Sequence, residues 1–379
     1  SLCITATTGV ALAGNLFTLF VFYELLTLAT YPLVVHRGTP ESREGAQVYL
    51  GYTLTGGLAA LVGMVWLQQV SGPVAFVPGG RPALAGIDPG VLTAIFVLLV
   101  GGFGVKAALV PLHGWLPIAM VAPAPVSALL HAVAVVKVGA FAVVRVVEDV
   151  FGLALLQTLG LAPALAGVAA FTILYGSVRA LFQDYLKRRL AYSTVSQVAY
   201  IILGASLAGS VAVAGGLVHL VHQGLMKITL FFCAGNYAET LEVHRVRQMD
   251  GIGRRMPATT AAFTVGALGM IGAPPLAGFI TKWTLGRGAL ETGDLWVIGV
   301  LAASTLLNAA YFLPVLVRAW FRPPAVEWPA PEGRGETTAL LLWPPLITAG
   351  LAALVGVLAA APGSPLQWAE RIARLEFGL

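Results

Sequence analysis

Eleven apolar stretches fill this chain of 379 residues, and most are long enough to cross a bilayer as a helix. About 20 apolar residues span the hydrocarbon core. The stretches are 2–12, 15–35, 47–70, 91–118, 124–147, 161–182, 190–208, 212–236, 258–290, 295–320 and 339–361. Only 10% of the residues are Asp, Glu, Lys or Arg, against about 25% in a soluble domain. So little charge cannot cover a water-facing surface. That excludes a soluble enzyme, a nucleic-acid-binding module and a disordered chain. The expectation is an all-α polytopic membrane protein of about eleven transmembrane helices.

The fourth and ninth stretches are too long for one straight crossing, and both are interrupted. The fourth carries Gly101, Gly102, Gly104, Pro111, Gly114 and Pro117; the ninth carries Gly269, Gly272, Pro274, Pro275 and Gly278. Proline inside a helix removes a hydrogen bond and clashes with the preceding turn. In lipid the freed backbone groups need partners from protein or water, so such breaks belong in the bundle interior. The two broken helices stand five crossings apart and so run in opposite directions. Two inverted five-helix repeats follow, each with its fourth helix discontinuous and the working site near the breaks. The expected units are 1–147, 148–322, and 323–379 with a loop, an extra helix and a tail. The chain starts at Ser1, already in apolar sequence and without a charged leader. The first unit is therefore expected to be cut short.

Loop charge sets orientation. Loops after even-numbered crossings hold twelve basic residues: Arg37, Arg43, Lys187, Arg188, Arg189, Arg245, Arg247, Arg254, Arg255, Arg318, Arg322 and Arg334. The other side holds five: Arg81, Arg145, Arg287, Arg371 and Arg374. The positive-inside rule places the twelve in the cytoplasm and the C-terminus outside. The tail from Pro365 gathers Trp368, Ile372 and Leu375 on one helical face, opposite Glu370, Arg371 and Arg374, as an interfacial helix does.

Four lysines fall inside apolar stretches: Lys106, Lys137, Lys227 and Lys282. Each costs about 2.5–3.5 kcal/mol at mid-bilayer on insertion scales. Snorkelling to the surface explains one such residue but not four, all central or beside a break. Glu24 reads as the only acidic residue deep in an apolar stretch, and Lys106 as its partner. His131 and Lys137 share the fifth crossing; His219, His222 and Lys227 share the eighth. His219 and Lys227 are eight residues apart and lie on nearly one face. Histidines and desolvated lysines in series are what a proton relay requires. His222, off that face, reads first as a polar group satisfied by a neighbouring helix. His113 in the first break fits a structural bond as well as proton transfer.

Nothing points to covalent or redox chemistry. There is no dinucleotide fingerprint, no P-loop and no CxxC pair, so no catalytic, cofactor or metal site is expected. Cys3 and Cys233 lie in apolar sequence and read as small buried hydrophobes. Ser193, Thr194 and Ser196 read as polar helix-packing residues, and Asp184 to Arg189 as a short solvated basic loop.

Five segments carry a resemblance. They are FYELLTLATYPL around Glu24, GFGVKAALVPLHGWLP around Lys106, APVSALLHAVAVVK at 124–137, LKRRLAYSTVSQ at 186–197 and GAPPLAGFITK at 272–282. Together and in this order they resemble the antiporter-like proton-pumping family. That family includes the D-type and A-type subunits of Mrp cation/proton antiporters and the antiporter-like subunits of respiratory complex I and membrane-bound hydrogenases. The resemblance covers nearly the whole chain. It implies fourteen helices in the complete family member, three more than here. It implies an ion pair of Glu24 with Lys106, then Lys137 as the next relay group, then Lys227 and Lys282. The family's eighth crossing often reads HxxxHxxxK. Here the order is His219, Gln223, Lys227, with His222 displaced by one, and Gln cannot change charge.

The resemblance looks most like the D-type Mrp subunit, moving protons beside other integral membrane subunits of a complex in a bacterial plasma membrane, with Na⁺ or K⁺ as possible counter-ions. A redox-driven subunit of complex I or a hydrogenase, with all redox centres on partner chains, is the alternative. A bicarbonate-uptake membrane subunit is a third. Lys282, beyond the second break, is expected to release the proton on the side poor in basic loops.

Overall fold

The computed structural model describes residues 2–324, Trp328 and 336–379; Ser1 and Arg334 lie outside the described residues. The described chain is helical throughout, and its extended pairing is confined to two isolated bridges, Asn15 with Ala75 and Tyr185 with Arg245. The helices are α1 (Leu2–Ala11), α2 (Leu16–Val35), α3 (Pro40–Ser71), α4 (Pro89–Lys106), α5 (Ala124–Phe151), α6 (Leu161–Leu181) and α7 (Leu186–Ser206). There follow α8 (Ser210–Leu241), α9 (Pro257–Ile271), α10 (Ala277–Thr292), α11 (Leu295–Phe321), α12 (Ala339–Val357) and α13 (Pro365–Glu376). Eight of these are long and apolar enough to cross a membrane singly. The other expected crossings are the short α1, the Ser- and Thr-containing α7, and the pair α9–α10, so all eleven stretches are helical and the chain is a multi-pass membrane protein.

Helix starts follow local chemistry. Asn15 accepts from the Thr18 amide at 2.8 Å, and Asp88 accepts from Val91 at 3.0 Å just ahead of Pro89. A short polar side chain satisfies the first orphan amides, and proline suits the first helical position. Small residues let backbones touch: a Cβ on Gly102 would meet the Gly56 carbonyl of α3 at 2.5 Å.

Both expected breaks are present. α4 stops at Lys106, and the chain turns through Ala108, whose φ is +57°, before a short helical turn at Trp115–Ile118. Trp115 Nε1 donates to the Val105 carbonyl at 2.7 Å, replacing the lost helical bond. In the ninth crossing Gly272 (φ +95°) ends α9. The freed carbonyls of Met270 and Ile271 are taken up by Asn308 Nδ2 at 3.0 Å and Lys282 Nζ at 2.6 Å. Gly278 opens α10 where a Cβ would stand 1.9 Å from the Gly269 carbonyl oxygen. Overpacking of this kind costs about 1–3 kcal/mol or more. Gly278→Ala is expected to lower the thermal midpoint of the purified protein, whereas Gly286→Ala, with its nearest neighbour at 3.9 Å, is expected to leave it unchanged.

α5 departs from the expected simple crossing. It runs four residues past 147 and contains two π-helical turns, Leu129–Val133 and Val146–Phe151. The second is held from outside: the amides of Val77 and Arg81 donate to the Asp149 and Val150 carbonyls at 3.1 Å each. This extension buries Glu148 at 4% and Asp149 at 2% exposure. Glu24 is therefore not the only acidic residue deep in the bundle. Arg189 also departs from expectation. It is buried, not solvated, and its guanidinium donates to the carbonyls of Leu181, Gln183 and Tyr311. In the tail, Ala369 and Ala373 seat α13 on Val213, Ala214 and Val218 of α8, while Trp368, Ile372 and Leu375 stay exposed.

Candidate functional site

The site begins at the first break. Lys106 is fully buried at the C-terminal end of α4. Its Nζ donates to the Tyr23 carbonyl, lies 3.3 Å from the centre of the Tyr23 ring, and stands 3.8 Å from Glu24 Oε1. Three partners on α2 thus hold one ammonium: a carbonyl, an aromatic face and a carboxylate. Glu24 itself keeps 22% of its side chain exposed and accepts from Thr27 Oγ1 at 3.1 Å. Gly57 of α3 makes room for it, since a Cβ there would lie 2.5 Å from Oε1.

α5 crosses behind this break. A Cβ on Gly139 would stand 2.3 Å from the Ala107 amide nitrogen, so the helix bearing Lys137 lies directly against the backbone that follows Lys106. Lys137 is 7% exposed, and its Nζ has no hydrogen-bond partner among the described residues. α5 also lies against α8: a Cβ on Gly224 of α8 would stand 3.2 Å from the Ala132 carbonyl oxygen beside His131. His131, on the first π-helical turn, stacks on Phe231 at 4.8 Å, and both its ring nitrogens are buried without a partner among the described residues.

The second half is built on α8. Lys227 is fully buried and donates to the Leu190 carbonyl at 3.1 Å and to Ser193 Oγ. His219 and His222 converge on a single hydroxyl: the Nδ1 atoms lie 3.1 and 3.0 Å from Thr281 Oγ1. The Nε2 atoms of both, and both amide atoms of Gln223, are buried without a partner among the described residues. Lys282, next to Thr281, reaches back to the Ile271 carbonyl and donates to Thr305 Oγ1 at 2.9 Å. Glu24, Lys106, Lys137, His131, His219, His222, Lys227 and Lys282 are thus carried on α2, α4, α5, α8 and α10, helices that pack in sequence between the two breaks. Gln223 sits among them on α8. His113 stands apart, packed on Tyr175 at 5.0 Å and Tyr192 at 6.3 Å.

Spacing alone does not mark Ser193, Thr281, Thr305 or Asn308 as members of the site. Ser193 and Thr281 lie inside recognisable segments, and Asn308 is a lone amide in an apolar run; those are the only signals they give. Thr281→Val removes the shared hydroxyl at nearly constant volume. Two hydrogen bonds are lost, each worth about 1 kcal/mol, so transport through the histidine pair is expected to fall about 30-fold and to return with Thr281→Ser. Unchanged flux in vesicles carrying Thr281→Val would show the hydroxyl to be structural only.

Helices broken at two opposed points and threaded by buried lysines define an antiporter-like membrane subunit. The chain belongs to the NADH:quinone oxidoreductase/Mrp antiporter transmembrane family, whose model matches residues 13–308. It is 39% identical over 357 residues to the N-type subunit of NADH-quinone oxidoreductase from Desulforudis audaxviator, covering 89% of this chain and 69% of that one. It is 28% identical over 350 residues to the D-type subunit of the Na⁺/H⁺ antiporter from Bacillus subtilis, covering 92% and 70%. Among solved structures it is similar to a chain of the Mrp complex from Dietzia sp. DQ12-45-1b, with a TM-score of 0.87, 23% identity and coverage of 98% and 76%. A chain of the archaeal membrane-bound sulfane sulfur reductase matches with a TM-score of 0.85, 26% identity and coverage of 98% and 74%.

Proposed function

We propose that this chain is the proton-translocating membrane subunit of a multi-subunit cation/proton antiporter of the Mrp D type, set in a bacterial plasma membrane. One observation carries the reading. A buried lysine paired to a carboxylate stands at a helix break, and further buried lysines and histidines line the packed helices between it and a lysine at a second break. In this reading Glu24 holds the Lys106 charge. When the two separate, desolvation drives the Lys106 proton to Lys137, then past the histidines to Lys227 and Lys282. The order of the helices supports two inverted units, 1–147 and 148–322, and loop charge supports a cytoplasmic basic face with the tail helix outside.

The identity to a quinone oxidoreductase subunit favours a second reading with the same proton path, driven by redox centres on partner chains. Purification of the native complex separates the two. Small membrane subunits alone, with Na⁺ or K⁺ dissipating an imposed pH gradient in vesicles, support the antiporter. A flavin and iron–sulfur partner, with proton uptake only on electron transfer, supports the oxidoreductase. A complex moving no protons under either condition refutes both.

A further inference from the structure

Glu148 lies at the tail-helix end of α5, inside the second π-helical turn, and takes no part in the relay from Glu24 to Lys282. It is 4% exposed, and its Oε1 is buried without a hydrogen-bond partner among the described residues. The charged side chains around it offer no free cation among the described residues. On its own helix, Arg145 is committed to Asp149, whose carboxylate oxygens both lie 2.9 Å from Nη1, and its guanidinium covers the Phe76 ring at 4.2 Å. From the tail helix comes a second carboxylate, Glu376, anchored on the Gly79 amide at 3.0 Å. From the 72–88 loop, Arg81 is engaged with Ser71 and the Pro73 carbonyl. The facing side of α8 is apolar, with Val218 and Val221 turned toward the space.

That space is a cavity of about 630 Å³ between α5, α8 and α13, lined by Arg145, Glu148, Asp149 and Glu376. A smaller one of about 240 Å³ lies on the Gly79 side and is again lined by Glu148 and Glu376. The larger cavity reaches α8 at the residues flanking His219 and His222. Glu148 is also eleven residues beyond Lys137 on one helix, about 16 Å along its axis. It therefore stands between the buried series and the tail-helix surface.

We propose that Glu148 is a proton-exchange site on the tail-helix side, passing protons between the Lys137 half of the series and water there, as Lys282 does for the second half. The proposal rests on the proton-translocating reading of the chain. A carboxyl buried beside another carboxylate, with the nearest cation already paired, is held as the neutral acid. Such a group moves charge without needing a counter-ion. In the step, the carboxyl O–H bond breaks and the proton goes to bulk water. The carboxylate then accepts the next proton from the series, and no electrons move. α13 forms the wall that keeps the group from open solvent.

The test uses the intact complex in vesicles with Glu148→Gln, Glu148→Asp and, as reference, Lys106→Ala. Glu148→Gln keeps shape but cannot exchange a proton, and is expected to cut proton transport about 10²-fold. Glu148→Asp is expected to retain most of it. Infrared spectra of the purified complex at neutral pH are expected to lose one carboxylic-acid carbonyl band in Glu148→Gln. Normal transport in Glu148→Gln with none in Lys106→Ala overturns this site and leaves the relay standing. Normal transport in both overturns the relay and the site together. An unchanged carboxylic-acid band overturns the neutral carrier even if transport falls. If Glu148→Gln does not assemble, Glu148→Asp decides: transport together with a protonated carboxyl is expected, and a fully ionised one overturns the proposal.

Discussion

Lys106→Ala is expected to abolish proton translocation while the complex still assembles. The loss should reach about 10²–10⁴-fold, the range for one positioned proton-transfer group. The residue is fully buried and binds three partners on α2 at once, so no neighbouring cation replaces it. Assembly should survive because Glu24, left behind, keeps the Thr27 hydroxyl as a partner and can take up a proton rather than stay as an unpaired charge. Truncation also opens space, so Lys106→Met, which keeps the stem, separates packing from charge. Both variants should be inactive, and the methionine variant should match the natural protein in stability. Glu24→Gln should be milder, since Lys106 keeps the Tyr23 carbonyl and ring. Near-normal transport by an assembled complex carrying either Lys106 change removes the first step of the relay.

Lys282→Arg is expected to block pumping while keeping the charge. Arginine stays protonated in proteins, so a group that must release its proton cannot be replaced by it. The site has partners for a cation in the Ile271 carbonyl and Thr305 hydroxyl, and no carboxylate ion-pairs with Lys282 among the described residues. A structural explanation predicts something different: if Lys282 served only to cap α9, arginine would cap it too and transport would persist. Thr305→Val is the companion change. It removes two hydrogen bonds, from Lys282 and to the Leu301 carbonyl, each worth about 1 kcal/mol, and should leave pumping largely intact. Normal proton flux in Lys282→Arg means that Lys282 is not a releasing site.

Much of this is legible in the chain itself, for identifiable reasons. A charge inside an apolar run stands out because lipid penalises it; hence Glu24 and the four lysines. Glycine and proline in two over-long runs betray breaks because helices cannot absorb them unaided. The fifth crossing reads too short because the charges of Glu148 and Asp149 at its end look like a surface boundary. What buries them is a π-helical turn whose carbonyls are held by Val77 and Arg81, some seventy residues earlier in the chain. No residue type announces that. Arg189 sits in what reads as a basic loop, yet the carbonyl of Tyr311, from α11, draws it inward. The meeting of His219 and His222 on Thr281 joins α8 to α10, a pairing set by packing alone.

The second-half lysines have one property that matters for how this machine spends motion. Lys282 gives hydrogen bonds to two acceptors, the Ile271 carbonyl and Thr305 Oγ1, and Lys227 to two, the Leu190 carbonyl and Ser193 Oγ. An ammonium has three N–H donors. Subtract the proton in transit and two remain, enough to serve the same acceptors, with a lone pair left to receive the next proton. Each amine can therefore empty and refill without dropping a bond, and the backbone of the second break need not stir. Movement is then concentrated where the count differs, at Lys106, whose ammonium is held partly by a carboxylate that loses its attraction once the proton leaves. In the proposed relay the rear of the path is then fixed wiring, and the front its moving contact.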